Sequence, residues 1–449
     1  MKCPFFVLGT LLCFSVYAQH RPVRVAVVGG GMAGVSSAHH IHKFDPQASV
    51  TLFEKEPVAG GNAKTVTVPN RRGEMVKVDM GPQYFTEGPW NEYIRFMKEY
   101  DLYHPEKTSE FTGSISIQEY GRRHPRLVTP LGGSLRGEKL GQLLHFKKFC
   151  DAAFHVYKNQ DGTHAECIGD WVKSLEGDSA FRNEVTFPFL AASLGTSVEN
   201  IKKTSTLEII KLFAFRRPSE KNTFKVMHEG MGTIIRQIAD ALAGKGIRVL
   251  TASPVQQVRH QGNGYTVAYT RDGETREEPF DFVVLAVHAD QAYRLLKSDT
   301  GFHTVTPLLK ELEYFRARIV LHNDSGLVNT AKPAFLNVIT TPDHEVVANT
   351  MNLGMVADRY AGIYKSWLTE ELCDRVKANG CFFHEEIFYH PLITPAFKGS
   401  LLKLDEAVGR IKNLFVGGGW TQGLETQESA VVSGKTAMEK YKKYKLGSL

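Results

Sequence analysis

The chain has 449 residues, of which 42% are hydrophobic, 23% charged and 10% aromatic, and its formal net charge is +6. These proportions exclude disordered, collagen-like and coiled-coil chains, and the length allows two or three domains around a large core. The charge is mild and no basic run or nucleic-acid motif goes with it, which argues against nucleic-acid binding.

Residues 1–18 read as a secretory signal. Lys2 supplies the positive start, the apolar stretch from Phe5 to Val16 is short for a membrane span, and Val16-Tyr17-Ala18 puts small side chains near the cleavage positions. Cleavage is expected after Ala18, which makes the protein secreted, secretory-pathway or periplasmic. Cys150, Cys167, Cys373 and Cys381 would remain, either as local Cys150–Cys167 and Cys373–Cys381 disulfides or as free thiols. No histidine and cysteine cluster has metal-ligand spacing, so no metal is expected. His39-His40 lies inside a predicted helix and is expected at the surface.

The most informative segment follows. Val23 to Val28 is a β-branched run, as a buried parallel strand requires, and it leads into Gly29-Gly30-Gly31-Met32-Ala33-Gly34. Gly29, Gly31 and Gly34 form Gly-x-Gly-x-x-Gly in register. The first allows a tight turn, the second lets backbone amides approach a pyrophosphate, and the third lets helix and strand pack closely. A helix is predicted over Ala33 to Phe44, with its positive end toward the phosphates, then a strand over Ser49 to Phe53. That strand ends at Glu54, twenty residues beyond Gly34, where an acid accepts hydrogen bonds from ribose hydroxyls and repels a 2′-phosphate. A second glycine pair, Gly60-Gly61, then precedes Asn62. Another close backbone approach so soon after the acid suits a longer cofactor, FAD rather than NAD.

Glu54 with Gly60-Gly61 resembles the FAD-binding fingerprint of the flavin amine oxidase and carotenoid desaturase superfamily, although many members have Arg where this chain has Asn62. Thr65 to Val68 and Val76 to Asp79 alternate as strands. Asp79-Met80-Gly81 resembles the superfamily segment that approaches the flavin, and Tyr84 and Phe85 follow it. Helices are predicted over 138–157, 167–175, 179–192 and 206–214, a helical insertion for the substrate domain. Nucleotide-domain character returns with a helix over Thr233 to Ala243, a strand over Ile247 to Leu250, and a meander at Val255 to Val258, Tyr265 to Tyr269 and Glu277 to Phe280. A buried strand from Phe282 to Val287 leads to His288, which opens a helix.

Val284 to Ala292, Tyr314-Phe315-Arg316, Val320-Leu321-His322 and Tyr389-His390-Pro391 look like one branch of the superfamily. It comprises NAD/FAD-binding flavoproteins associated with cyclopropane fatty acid synthases. The match runs with gaps from about residue 23 to 440, and the first third also resembles prenylcysteine oxidase. At the carboxyl end, Asn413 to Val416 is a predicted strand ending in Gly417-Gly418-Gly419-Trp420, followed by Glu425-Thr426-Gln427-Glu428 and a helix through Val431 and Ala437. The resemblance implies that this unit closes over the flavin, its helix end stabilising an anionic reduced ring. Glu428 is expected to favour the start of its own helix. The usual flavin-attachment cysteine is not visible, so the FAD is expected to be noncovalent.

The expected fold is therefore α/β. A Rossmann-type FAD-binding domain is drawn from 20–80, 220–300 and 405–449, and a mixed α+β substrate domain from 81–219 and 301–404. The cofactor-contacting set is Gly29, Gly31, Met32, Ala33, Gly34, Glu54, Lys55, Gly60, Gly61, Asn62, Gly81, Val255, Gly418, Gly419, Thr426 and Gln427. Tyr84, His288, His390 and Trp420 are catalytic candidates from local context alone. The expected function is FAD-dependent hydride removal from a small apolar or lipid-like substrate by oxidation, desaturation or double-bond isomerisation. Dioxygen or another acceptor would reoxidise the flavin, and peripheral membrane contact is possible. The alternatives are an amine or prenylcysteine-type thioether oxidase, and an FAD-holding protein without turnover.

Overall fold

The computed structural model describes residues 21–122, 125–129, 138–160, 165–175, 178–217, 220 and 223–447. The expected signal at residues 1–18 lies outside them. A five-stranded parallel sheet runs in the order Arg248–Leu250, Ser49–Phe53, Arg24–Val28, Phe282–Leu285, Leu414–Val416. Its strands thus come from three well-separated stretches of chain. They are almost wholly apolar because both faces are covered. Val25, Val27, Val50 and Leu52 pack under the helices Met32–Phe44, Met231–Gly244 and Gln427–Lys445. Ala26, Val28 and Phe53, on the opposite face by the two-residue period, pack against the meander Val255–Gln261, Gly264–Arg271, Glu274–Phe280 and the helices Ala289–Leu296 and Pro395–Gly409.

The second layer is a seven-stranded mixed sheet in the order Phe382–Pro391, Tyr314–His322, Tyr364–Leu368, Val346–Asn352, Leu336–Thr340, Ile115–Glu119, Leu127–Thr129. Its back face, with Val320, Ile339, Ala348 and Leu368, is covered by the helix Glu370–Ala378 through Leu372, Cys373 and Val376. At one end of its front face, Ile115, Ile117 and Val338 pack against the helical insertion, through Phe149, Ile168, Phe187 and Leu190. The rest of the front face opens on the cavity described below.

Several expectations need correction. The helical run from 179 reaches Leu194, and Arg182–Thr186 winds as a wider π turn. Pro188 follows that turn and has no N–H to donate to the preceding one, which loosens the winding. The helix predicted over 206–214 stops at Ile210. The last helix begins at Gln427 rather than Val431, because Thr426 and Ser429 form a reciprocal cap. His39 is buried, not exposed: the helix Asn91–Glu99 covers it, and its ring bonds Tyr100 Oη at 2.7 Å and Glu99 Oε2 at 3.0 Å. Glu428 stands in the first turn of its own helix, as expected, and also accepts from the backbone N–H of Glu92 (3.1 Å) and Tyr93 (2.7 Å), so it serves the start of that neighbouring helix as well. All four cysteines in the described residues are free thiols. No helix among those residues is long and apolar enough to cross a membrane.

Candidate functional site

A cavity of about 1260 Å³ lies where the carboxyl ends of the parallel strands meet the front of the seven-stranded sheet. Crevices at such strand ends are the usual ligand positions of open α/β sheets. Every cofactor candidate except Gly34 lines it, as do Tyr84, His288, His390 and Trp420. Gly34 is buried in the packing below: a Cβ there would lie 1.8 Å from the Gly29 carbonyl oxygen.

The glycine turn is built by three contacts. Gly29 has φ +106° and donates to the Phe53 carbonyl at 2.8 Å. Gly30 N–H donates to Glu54 Oε2 at 2.7 Å, and its carbonyl accepts from Gly60 N–H at 3.0 Å. Gly31 and Gly61 face each other, so that a Cβ on Gly61 would meet Gly31 Cα at 3.0 Å. The two glycine turns thus form one backbone wall, against which Gly81 fits beside the Asn62 carbonyl. Glu54 is buried, and its other oxygen accepts from Glu56 N–H at 2.8 Å, so the carboxylate is oriented from both sides. Helix Met32–Phe44 starts at Gly31 with no side-chain cap and no acid in its first turn. Its unscreened positive end suits an anion.

The wall opposite is the front of the seven-stranded sheet. Register puts Ile319, Trp367 and Asn349 on one face, with Lys365, Met351, Phe388 and His390 on the same side. All seven line the cavity, and Ala192 and Leu194 close one edge from the helix Phe187–Leu194. Lys365 is buried in this otherwise apolar strand position. Its Nζ donates to the Gly81 carbonyl at 2.6 Å and to Gln83 Oε1 at 3.2 Å. Burial pushes its pKa down to about 8, against the opposing charge of Asp79. Burial pushes Asp79 up to about 6, although it accepts from Thr65 Oγ1 at 2.5 Å and from Met231 N–H at 2.9 Å.

Of the four catalytic candidates, Trp420 is fully buried and donates to the Val287 carbonyl at 3.0 Å, which holds its indole in the wall. Tyr84 packs edge-on against Phe111, Phe224 and Phe335. His390 sits beside Phe315 and Phe388, and burial lowers its pKa. His288 stands at the start of the helix Ala289–Leu296 without a side-chain cap bond and forms an ion pair with Glu425 at 3.2 Å. Burial opposes charge on this ring, but the Glu425 carboxylate outweighs it and raises the pKa.

Two wall residues escaped the sequence reading in this role, Lys365 and Asn349, while Glu425 was read only as part of the segment closing over the flavin. The signal for the first two was a polar residue interrupting an apolar strand, which only the sheet register turns toward the cavity. Among the described residues no group of three or more His, Cys, Asp or Glu side chains gathers as a metal site would.

Residues 32–330 match the flavin containing amine oxidoreductase family. The chain belongs to this family. It is an FAD-dependent oxidoreductase of the flavin containing amine oxidoreductase type. It is 20% identical to coproporphyrinogen III oxidase of Staphylococcus aureus (strain NCTC 8325 / PS 47), over 73% of this chain and 73% of that protein. It is 21% identical to prenylcysteine oxidase 1 of Mus musculus, over 78% of this chain and 74% of that protein. Among solved structures it is similar to cyclohexylamine oxidase from Brevibacterium oxydans IH-35A, with TM-score 0.62, 14% identity, and coverage of 93% of this chain and 98% of that one. It is also similar to wild-type putrescine oxidase bound to putrescine, with TM-score 0.63, 16% identity, and coverage of 93% and 98%. These likenesses carry the shared fold.

A flavin of this family fits the residues present. The facing glycines keep this turn free of side chains, which leaves room for a diphosphate. An added Cβ on Gly31 meets no atom closer than 3.6 Å, so nothing in the protein itself requires glycine there. At the other end of the cavity, Thr426, Gln427 and Ala430 bring the amino end of the last helix to the wall.

Proposed function

We propose that this enzyme removes hydride from a small, largely apolar, lipid-like substrate and holds its FAD noncovalently. The observation that carries the reading is the apolar sheet face of Ile319, Met351, Trp367 and Phe388 across the cavity from the glycine turns. In this reading the amide groups at Gly31, Met32 and Ala33 hold the diphosphate, and Glu54 accepts from the ribose. Lys55, Gly60, Gly61, Asn62, Gly81 and Val255 contact the adenosine and linking portions, and Gly418, Gly419, Thr426 and Gln427 contact the ring end. Gly34 gives this cradle its close helix packing. FAD, when bound, supplies the acceptor of the substrate's hydride. The chain's own contribution is to bind, orient and exclude water, with Lys365 held in the wall by the Gly81 carbonyl and Gln83. The four described cysteines are absent from the cavity lining, which supports noncovalent attachment. Dioxygen is the proposed electron acceptor. The branch associated with cyclopropane fatty acid synthases, and peripheral contact with a membrane that supplies the substrate, belong to the same reading.

A second reading is oxidation of a thioether, and the similarity to mouse prenylcysteine oxidase 1 over 78% of the chain favours it.

The purified protein is expected to be yellow and to release FAD on denaturation. Anaerobic mixing with fatty acids, prenylated thioethers and amines separates the readings by which class bleaches the flavin. Bleaching by amines alone would overturn the lipid-like assignment, and photoreducible flavin that no class bleaches would mean an FAD-holding protein without turnover.

We also propose a secretory route, supported by Lys2, the apolar stretch from Phe5 to Val16, and Ala18. A reporter fused after Ala18 is expected outside the cytoplasm, and its retention there would reject the proposal.

A further inference from the structure

His288 and Glu425 meet at the cavity wall from opposite sides of the chain. His288 follows the strand Phe282–Leu285 and opens the helix Ala289–Leu296, while Glu425 lies just before the last helix. Both line the cavity, and their side chains are 18% and 15% exposed. The ion pair joins His288 Nε2 to Glu425 Oε1 at 3.2 Å. The imidazole ring stacks on Tyr314, with centroids 5.1 Å apart and planes at 29°. Tyr314 Oη is itself fixed, accepting from Ala289 N–H at 3.0 Å. The ring is therefore held on one face and at one nitrogen.

Glu425 is the less easily explained member. Its second oxygen, Oε2, is buried and has no hydrogen-bond partner among the described residues. His288 is the one basic side chain within ion-pair distance of it there. A poorly solvated carboxylate with one imidazole partner favours the imidazolium form of that ring. Its loop is also fixed from behind. Glu208, 1% exposed, pairs with Lys211 and Lys398 at 3.1 Å each, and it accepts from Leu424 N–H at 3.3 Å. The sequence thus spends a second buried carboxylate on positioning the loop that carries the first.

We propose that His288 is a catalytic base of this oxidase, with Glu425 as its positioning and charge-compensating partner. This rests on the proposed hydride-removing function. In the step, one substrate C–H bond breaks with its electron pair leaving as hydride to the flavin. A second substrate hydrogen leaves as a proton to His288 Nδ1, and the electron pair it leaves behind forms the new double bond. The substrate loses two electrons and two hydrogens, and FAD, when bound, would take the two electrons with one hydrogen. The second hydrogen, now a proton, makes an imidazolium beside the Glu425 carboxylate, and solvent later takes that proton. The dyad follows the usual logic of a histidine base oriented by a carboxylate.

The groups facing His288 are Glu425 and Asp290, which favour its charged form, with Tyr314 stacked on it and His390 nearby. The base must be neutral to act, so the rate of flavin bleaching should rise with pH through the His288 titration. His288→Gln keeps a donor for Glu425 but cannot take a proton. The test uses the holoenzyme with the substrate class that bleaches wild type. His288→Gln is expected to retain flavin and bleach at least about 100-fold more slowly. Glu425→Gln should shift both the ascending limb of the pH profile and the His288 titration, followed by NMR of labelled histidine, to lower pH. A purely structural clamp predicts otherwise: bleaching by His288→Gln within about threefold of wild type at an unchanged pH profile. That result would overturn the proposal, as would an unmoved His288 titration in Glu425→Gln. If no substrate class bleaches wild type, the hydride-removing reading fails and the base assignment with it, while the NMR titration still reports whether the pair exists.

Discussion

Gly31→Val is expected to give a folded but colourless protein, whereas Gly34→Ala, a smaller change three residues on, is expected not to fold stably. The glycines of one motif differ because their neighbours differ. At Gly31 the backbone is extended, with φ −78° and ψ −178°, a region that β-branched residues adopt readily. The nearest atom to an added Cβ is Gly61 Cα at 3.6 Å, an ordinary contact. The apo-protein should lose less than about 1 kcal/mol. The valine methyl groups would instead stand over the amides at the start of the first helix, in the space a diphosphate must occupy. At Gly34 the added Cβ lies 1.8 Å from the Gly29 carbonyl oxygen and 2.9 Å from its carbon. Both atoms are backbone, in the turn that defines the site, so relief requires separating helix from strand. That should cost more than the about 1–3 kcal/mol typical of overpacked cores. Visible absorbance relative to protein absorbance reads flavin content, and far-ultraviolet circular dichroism with denaturant unfolding reads the fold. Normal flavin content in a folded Gly31→Val protein would move the diphosphate away from this turn.

The same contrast explains how much was legible in the sequence. The strand from Arg24, the glycine turn, the first helix and Glu54 are local in sequence, so their spacing alone predicts which groups meet. The glycines at 417–419 were readable for a related reason: a short apolar strand and a glycine turn have few other uses. The front wall of the cavity was not readable. Asn349 and Lys365 come together because Asn349 pairs with Trp367 and Met351 with Lys365 across two antiparallel strands. A shift of one residue would turn all four away, and nothing within either strand fixes that register by itself. His288 and Glu425 were each visible as polar residues at helix starts, a position with an ordinary explanation. Only the close approach of two distant chain segments makes them a pair. His39 was misjudged, and the second role of Glu428 missed, for the converse reason. The helix Asn91–Glu99 covers one and takes its amino-terminal contacts from the other, and helix periodicity carries no information about such a neighbour.

Acid should weaken the fold through His322, well before carboxylates are the main cause. His322 is fully buried at the end of the strand Tyr314–His322. Its Nδ1 accepts the Asp324 backbone N–H at 3.1 Å, and its Nε2 meets Ser366 Oγ at 2.7 Å, which in turn bonds Thr350 Oγ1 at 2.7 Å. The first contact requires Nδ1 to be unprotonated, so the ring is neutral with its proton on Nε2. A second proton would face a backbone N–H in a dry site. Burial accordingly lowers its pKa from the usual 6.5 to about 4, with Asp324 only partly opposing. The sign follows: the unfolded chain binds this proton first, so the contribution is complete above about pH 6.5 and is lost as pH falls toward about 4. A shift of this size corresponds to about 3 kcal/mol at most. His39 and His40 are also lowered to about 4 by burial and add to the acid sensitivity of the whole protein. A difference measurement separates them. His322→Leu removes the titrating ring and leaves the other two in place. In denaturant unfolding, the stability gap between wild type and His322→Leu should narrow by about 2–3 kcal/mol between pH 7.5 and pH 4.5. A gap that stays constant over that range would show that His322 keeps an ordinary pKa in the folded protein, and the neutral hydrogen-bonded ring described here would be wrong.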